Sequence, residues 1–125
     1  MIEVLEHLPD TVTVIRECHR MLKQSGKLHI TVPYYLAVGA WSNPEHKRAF
    51  NYQTFKYFLE RTDEQKMHNF GFAFSEGTIR VTCGRGKNFM NHITEVLFNS
   101  MPEVCDRTFL KFMFTPDGIT ATLIK

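Results

Sequence analysis

At 125 residues, the chain has the length of one domain, since domains cluster at about 100–150 residues. Hydrophobic content of 43% with charged content of 22% excludes a disordered chain, and 11 phenylalanines supply material for a core. A net charge of +2, with Lys47-Arg48 as the only adjacent basic pair, carries no signal for nucleic acid or an anionic membrane.

The chain opens on Met1-Ile2-Glu3-Val4-Leu5-Glu6, with two acids and no basic residue, which is not the pattern of a signal peptide. No apolar run approaches the ~20 residues of a membrane helix. Cys18, Cys83 and Cys105 form an odd set without a close pair, the usage of reduced thiols, so a cytoplasmic location is expected. Asp10 can cap a helix running to about Lys23, with Val14, Ile15, Cys18, Met21 and Leu22 on one face. Ser25-Gly26 stops it, and Gly26 is expected to take the left-handed conformation. Lys27–Pro33 is a β-branched run closed by proline, hence a strand.

Residues 34–51 show no period, and a connection of that length inside a domain points to function. Asn51 can cap a second helix that places Phe55, Phe58 and Leu59 together. Thr78–Thr82 alternates as a strand. A helix from about Asn88 to Asn99 would group Phe89, Ile93, Val96 and Leu97. Finally Leu110, Phe112 and Phe114 alternate, Thr115-Pro116-Asp117-Gly118 is a turn, and Ile119, Ala121 and Leu123 alternate again. The expectation there is an antiparallel hairpin.

Three stretches resemble one family. Val4-Leu5-Glu6-His7-Leu8-Pro9-Asp10, with the helix ending Arg20-Met21-Leu22-Lys23-Gln24-Ser25-Gly26 and the strand Leu28–Pro33, is similar to the region after the fourth strand of class I S-adenosylmethionine-dependent methyltransferases of the type 11/12 kind. Gln24-Ser25 stands where that family usually has Pro-Gly. Asn43–Asn51, with Phe55 and Phe58, looks like the family's substrate-side insertion, and the closing strand pair is similar to the one that ends its sheet. The resemblance implies an α/β fold: part of a doubly wound, Rossmann-like sheet, from the end of its fourth strand to its last. Residues 1–125 would then be a single incomplete domain, the C-terminal half of the family's domain.

The family's cofactor lies against a Gly-rich turn after its first strand, and an acid after the second takes the ribose hydroxyls. Here no glycine precedes Gly26. Gly84-Arg85-Gly86 comes too late to be that turn. Gly86-Lys87 is no phosphate loop, because Val81 and Asn88 stand where its first glycine and its Ser/Thr belong. S-adenosylmethionine is therefore the implied cofactor of a complete enzyme, and this chain alone is expected to bind it weakly and to be inactive. The alternative is a non-catalytic relic acting as a binding or oligomerisation module. Either way an exposed sheet edge at Leu28–Val32 would favour self-association.

For the site, the resemblance places Ile2 and Glu3 against the cofactor's methionine end. His7 and His46 are the catalytic candidates, since an imidazole near the sulfonium suits removal of the acceptor's proton. Tyr34, Tyr35 and Trp41 follow a strand at the ligand-binding end of such sheets and are candidate substrate-binding residues. The acceptor is unassigned, with a small molecule expected. Glu3, Glu6, His7 and His46 are similar to the metal-ligand pattern of small-RNA 2′-O-methyltransferases, and such a set suits a hard-to-borderline ion. Glu-His is common here without any metal, so none is expected.

Overall fold

In a computed structural model of the chain, residues 1–83 and 89–125 are described. The sequence features at 84–88, including Gly84-Arg85-Gly86, Gly86-Lys87 and Asn88, lie outside them. The elements in order are a 3₁₀ turn (Leu5–His7), α1 (Thr11–Met21), β1 (Lys27–Pro33), α2 (Val38–Ser42), α3 (Tyr52–Lys56), α4 (Asp63–Met67), β2 (Glu76–Thr82), α5 (Phe89–Ser100), α6 (Pro102–Arg107), α7 (Leu110–Met113) and β3 (Gly118–Ile124).

β3, last in sequence, is the middle strand of a three-stranded sheet ordered β1-β3-β2, antiparallel to both neighbours. Ile30 and Ile79 both stand opposite Ala121, and Val32 and Val81 both stand opposite Ile119. The buried alternation Ile119, Ala121, Leu123 thus meets apolar partners on both sides, which sets the register. Leu5, Ile15, Tyr34, Phe50, Phe55, Phe74 and Phe98 complete the core around it.

Both outer edges carry partners. At β1, Ile2 forms a parallel bridge with Thr31; the Thr31 N–H donates to Met1 O at 2.9 Å and Glu3 N–H to Thr31 O at 2.8 Å. At β2, the Asn99 side chain of α5 accepts from Val81 N–H at 2.8 Å and donates to Val81 O at 2.9 Å. Glu95 accepts from the Cys83 N–H at 2.8 Å. The Leu28–Val32 edge is therefore engaged at its centre rather than bare.

The expected terminal hairpin is absent. Leu110–Met113 is helical, and Phe112 is 66% exposed. The reason is topological: β3's two edges are already taken by β1 and β2, so 110–114 has no strand to pair with. Asp117 instead joins the sheet's three strand ends, donating to Thr82 O at 3.0 Å and accepting from the Tyr34 N–H at 3.0 Å. Nor do the described residues form an all-parallel array; they give a mixed α/β chain with an antiparallel sheet.

Helix starts follow their caps. Asp10 accepts from the Thr13 N–H at 3.0 Å, opening α1, and Asn51 with Thr54 forms a capping box that opens α3. Three side-chain expectations change. Met21 faces solvent, and α5 buries Thr94 and Phe98 while Phe89 and Val96 are exposed. After α1 it is Ser25 that takes the left-handed conformation (φ 62°). Gly26 is needed for a different reason: a Cβ there would sit 2.7 Å from Lys23 O. Short α2 and α4 fall in stretches without a readable period.

Cys18, Cys83 and Cys105 are free thiols, and burial pushes Cys83 up to about 11, which makes it unreactive near neutral pH. Among the described residues, no helix is long and apolar enough to cross a membrane.

Candidate functional site

The chain leaves its first bridge through Glu3, a left-handed residue (φ 50°), and this bend turns it into the 3₁₀ segment Leu5–His7. Leu5 is fully buried and anchors the turn. The turn's position is locked from the other side, because the Lys47 N–H donates to Glu6 O at 2.7 Å and Arg48 donates to Pro9 O at 3.0 Å. The loop 43–48 is thereby stitched along residues 6–9.

That stitching brings His7 and His46 together. Their ring centroids are 4.6 Å apart, edge to face at 83°. His46 is held from behind: its Nδ1 lies 3.1 Å from Ala40 O, the third residue of α2. A carbonyl only accepts, so Nδ1 carries the proton and Nε2 is left with a lone pair. Glu6 joins the two histidines. It is 1% exposed, and neither carboxylate oxygen has a hydrogen-bond partner. One ligating atom from each of Glu6, His7 and His46 lies within 4.8 Å of the others. Glu3 stands in the same electrostatic neighbourhood: burial and then the Glu6 charge push its carboxyl above the ordinary value, opposed by His46 and His7.

The aromatic candidates divide. Tyr34 points into the core, fully buried, and its hydroxyl donates to the Asp106 carboxylate of α6. Burial first, then that bond, holds the phenol far above its ordinary range, so it stays protonated. Tyr35 lies half-buried against the same carboxylate, and its backbone carbonyl accepts from Trp41 Nε1 at 2.7 Å. Trp41 is 69% exposed. Tyr34 is thus a core residue, while Tyr35 and Trp41 stay at the surface of the loop.

Beside Arg48, between the start of α1 and α3, opens a cleft of about 260 Å³ lined by Thr11, Arg48, Phe50, Tyr57, Phe58 and Phe70, among others. Arg48 falls within the Asn43–Asn51 stretch, though nothing in that stretch singles it out, and no motif marks Phe70. Burial of Glu6 has a weak sequence signal at most, its place between Leu5 and Leu8.

No family model and no curated protein matches the chain. A solved structure does: an S-adenosylmethionine-dependent methyltransferase from Archaeoglobus fulgidus aligns with a TM-score of 0.59 and 17% identity, covering 100% of this chain and 57% of that one. The chain's fold is similar to part of that structure. It spans 57% of that neighbour's length, so the likeness concerns part of a methyltransferase structure.

The cofactor such a fold implies can be tested against these residues. Ile2 is 67% exposed and Glu3 is exposed beside it, both on the rim of the sheet. No glycine precedes Gly26, so residues 1–25 hold no glycine of the kind such a turn uses.

Proposed function

We propose that these residues form the acceptor side of an S-adenosylmethionine-dependent methyltransferase, the closing part of a doubly wound sheet whose glycine-rich cofactor turn lies outside them. The observation that carries this reading is the alignment of the entire chain with a methyltransferase structure. The His7–His46 pair, at the end of the segment that bridges Thr31 in parallel, supports it. In this reading Ile2 and Glu3 border the cofactor's methionine end, and Tyr35 and Trp41 border the acceptor, a small molecule in a cytoplasmic setting.

The chain's own chemistry is proton handling and positioning. His46, with Nδ1 committed to Ala40 O, offers Nε2 as an acceptor for a hydroxyl or ammonium proton. His7, packed edge-on against it, restricts the ring's rotation, and the backbone bond from Lys47 to Glu6 fixes the separation of the two segments. Holding the acceptor in line accounts for most of the expected rate.

The test is release of S-adenosylhomocysteine by the whole protein against small hydroxyl and amine acceptors. His46→Ala is expected to lower turnover about 10²–10⁴-fold while cofactor affinity changes little. If His7→Ala and His46→Ala both retain near-normal turnover, neither histidine handles the proton. Calorimetric titration of residues 1–125 with S-adenosylmethionine should show very weak binding or none. A micromolar affinity would contradict the assignment of the cofactor turn to other residues.

A further inference from the structure

The structure assigns a divalent metal site to Glu6, His7 and His46. The inference starts from a carboxylate that the fold leaves unsatisfied. Glu6 is 1% exposed, and both of its oxygens lack a hydrogen-bond partner. Buried carboxylates are otherwise paired, hydrogen-bonded or bound to metal. Glu6 has none of the first two, and what faces it is a pair of imidazoles.

The three donors are pre-arranged by backbone. Glu6 and His7 belong to one 3₁₀ turn, and His46 is brought to them by the 2.7 Å bond from Lys47 N–H to Glu6 O. Their ligating atoms lie within 4.8 Å of one another. Ligands of a tetrahedral ion with bonds of about 2.0–2.1 Å stand roughly 3.4 Å apart, a closure that side-chain rotation can supply. His46 also has the outer support that ligating histidines use: Nδ1–H donates to Ala40 O at 3.1 Å, fixing the tautomer with Nε2 free.

The donor set names the class of ion. One carboxylate oxygen and two imidazole nitrogens suit a borderline first-row ion such as Zn²⁺ or Co²⁺, while Mg²⁺ and Ca²⁺ prefer shells of oxygen. Three protein ligands leave at least one coordination position for water or a substrate oxygen. Glu3 stays outside the set, acting on it only through charge. With an ion bound, His46 Nε2 is committed to the metal and cannot also take the acceptor's proton, so metal ligation and proton acceptance are alternative roles for that one lone pair.

The test uses the untagged chain, stripped with chelator and titrated with ZnCl₂ by calorimetry. One equivalent is expected to bind, with MgCl₂ at least about 100-fold weaker. Glu6→Gln and His46→Ala should each lower Zn²⁺ affinity by at least about tenfold, whereas His92→Gln, at an exposed histidine on α5, should not. Co²⁺ provides a second readout that needs no variant: its visible absorption should report a low-symmetry nitrogen–oxygen site that excess Zn²⁺ abolishes. Absence of Zn²⁺ binding by the parent chain overturns the proposal. So does binding that Glu6→Gln leaves intact, or that His92→Gln weakens equally. Metal binding without methyl transfer by the whole protein would sink only the methyltransferase reading, and methyl transfer without metal binding only this one.

Discussion

Two buried carboxylates make an instructive pair. Asp106, on α6, keeps one oxygen on the Tyr34 hydroxyl and the other without a partner. Glu6 has no partner on either oxygen and two imidazoles beside it. The first is a structural solution: a phenol from the end of β1 ties α6 to the sheet, and burial raises the carboxyl's pKa despite the bond. The second leaves a buried carboxyl without a hydrogen bond among the described residues. A fold tolerates that at a place where something else binds.

Variants should separate the two. The largest effect is expected for Tyr34→Ala, which opens a cavity beneath Phe98 and removes Asp106's partner; a loss of about 3–5 kcal/mol should appear in denaturant unfolding. Tyr34→Phe keeps the ring and deletes only the hydroxyl, with an expected cost of about 1–3 kcal/mol. Glu6→Gln should act in the opposite direction. Without metal it replaces a buried carboxyl that has no hydrogen bond, so the variant is expected to be as stable as the parent or more stable, by up to about 1 kcal/mol in denaturant unfolding. A metal-free Glu6→Gln chain that is clearly less stable would mean that Glu6 has a structural role like that of Asp106.

Acidity offers a further contrast. Asp106's folded pKa lies above the ordinary 3.8, chiefly through desolvation, with the Tyr34 bond opposing. A raised acid holds its proton more tightly in the folded state. Its contribution is therefore fully present below pH 3.8 and declines as pH rises through the folded value. Tyr34→Phe lifts that folded value further, so its cost should be greater at pH 7 than at pH 4. Urea unfolding at both pH values checks this, and a cost independent of pH would show that the carboxyl does not titrate in response to Tyr34. The smallest effect is expected for Asn99→Ala, about 0.5–1.5 kcal/mol from two bonds at the β2 edge.

The same pair shows what was legible from the residues alone. Local signals carried far: Asp10 and Asn51 mark helix starts, and the β-branched runs around Ile30, Ile79 and Ala121 mark the three strands of the described residues. The hairpin failed because Leu110, Phe112 and Phe114 fit a strand locally, and nothing local reveals that β3 has both edges filled. On α5 the expected face holds only in part: Leu97 packs on the core, but Thr94 and Phe98 are the buried residues while Phe89 and Val96 are exposed. At the site, His7 and His46 could be named as types but not as neighbours. Their meeting depends on one backbone bond between distant segments. Tyr34 follows Pro33 at a strand end, where either direction was open, and only Asp106's position on α6 explains why it turns inward.

Asn99 has a consequence of its own. Its side-chain amide presents Val81 with one acceptor and one donor, at 2.8 and 2.9 Å, the pairing a neighbouring strand would make. It is a one-residue counterfeit of a fourth strand, mounted on a helix. Deuterium uptake at the Val81 amide should therefore time the lifting of α5 from the sheet rather than the fraying of β2. A second chain seeking to extend the sheet there would first have to displace it.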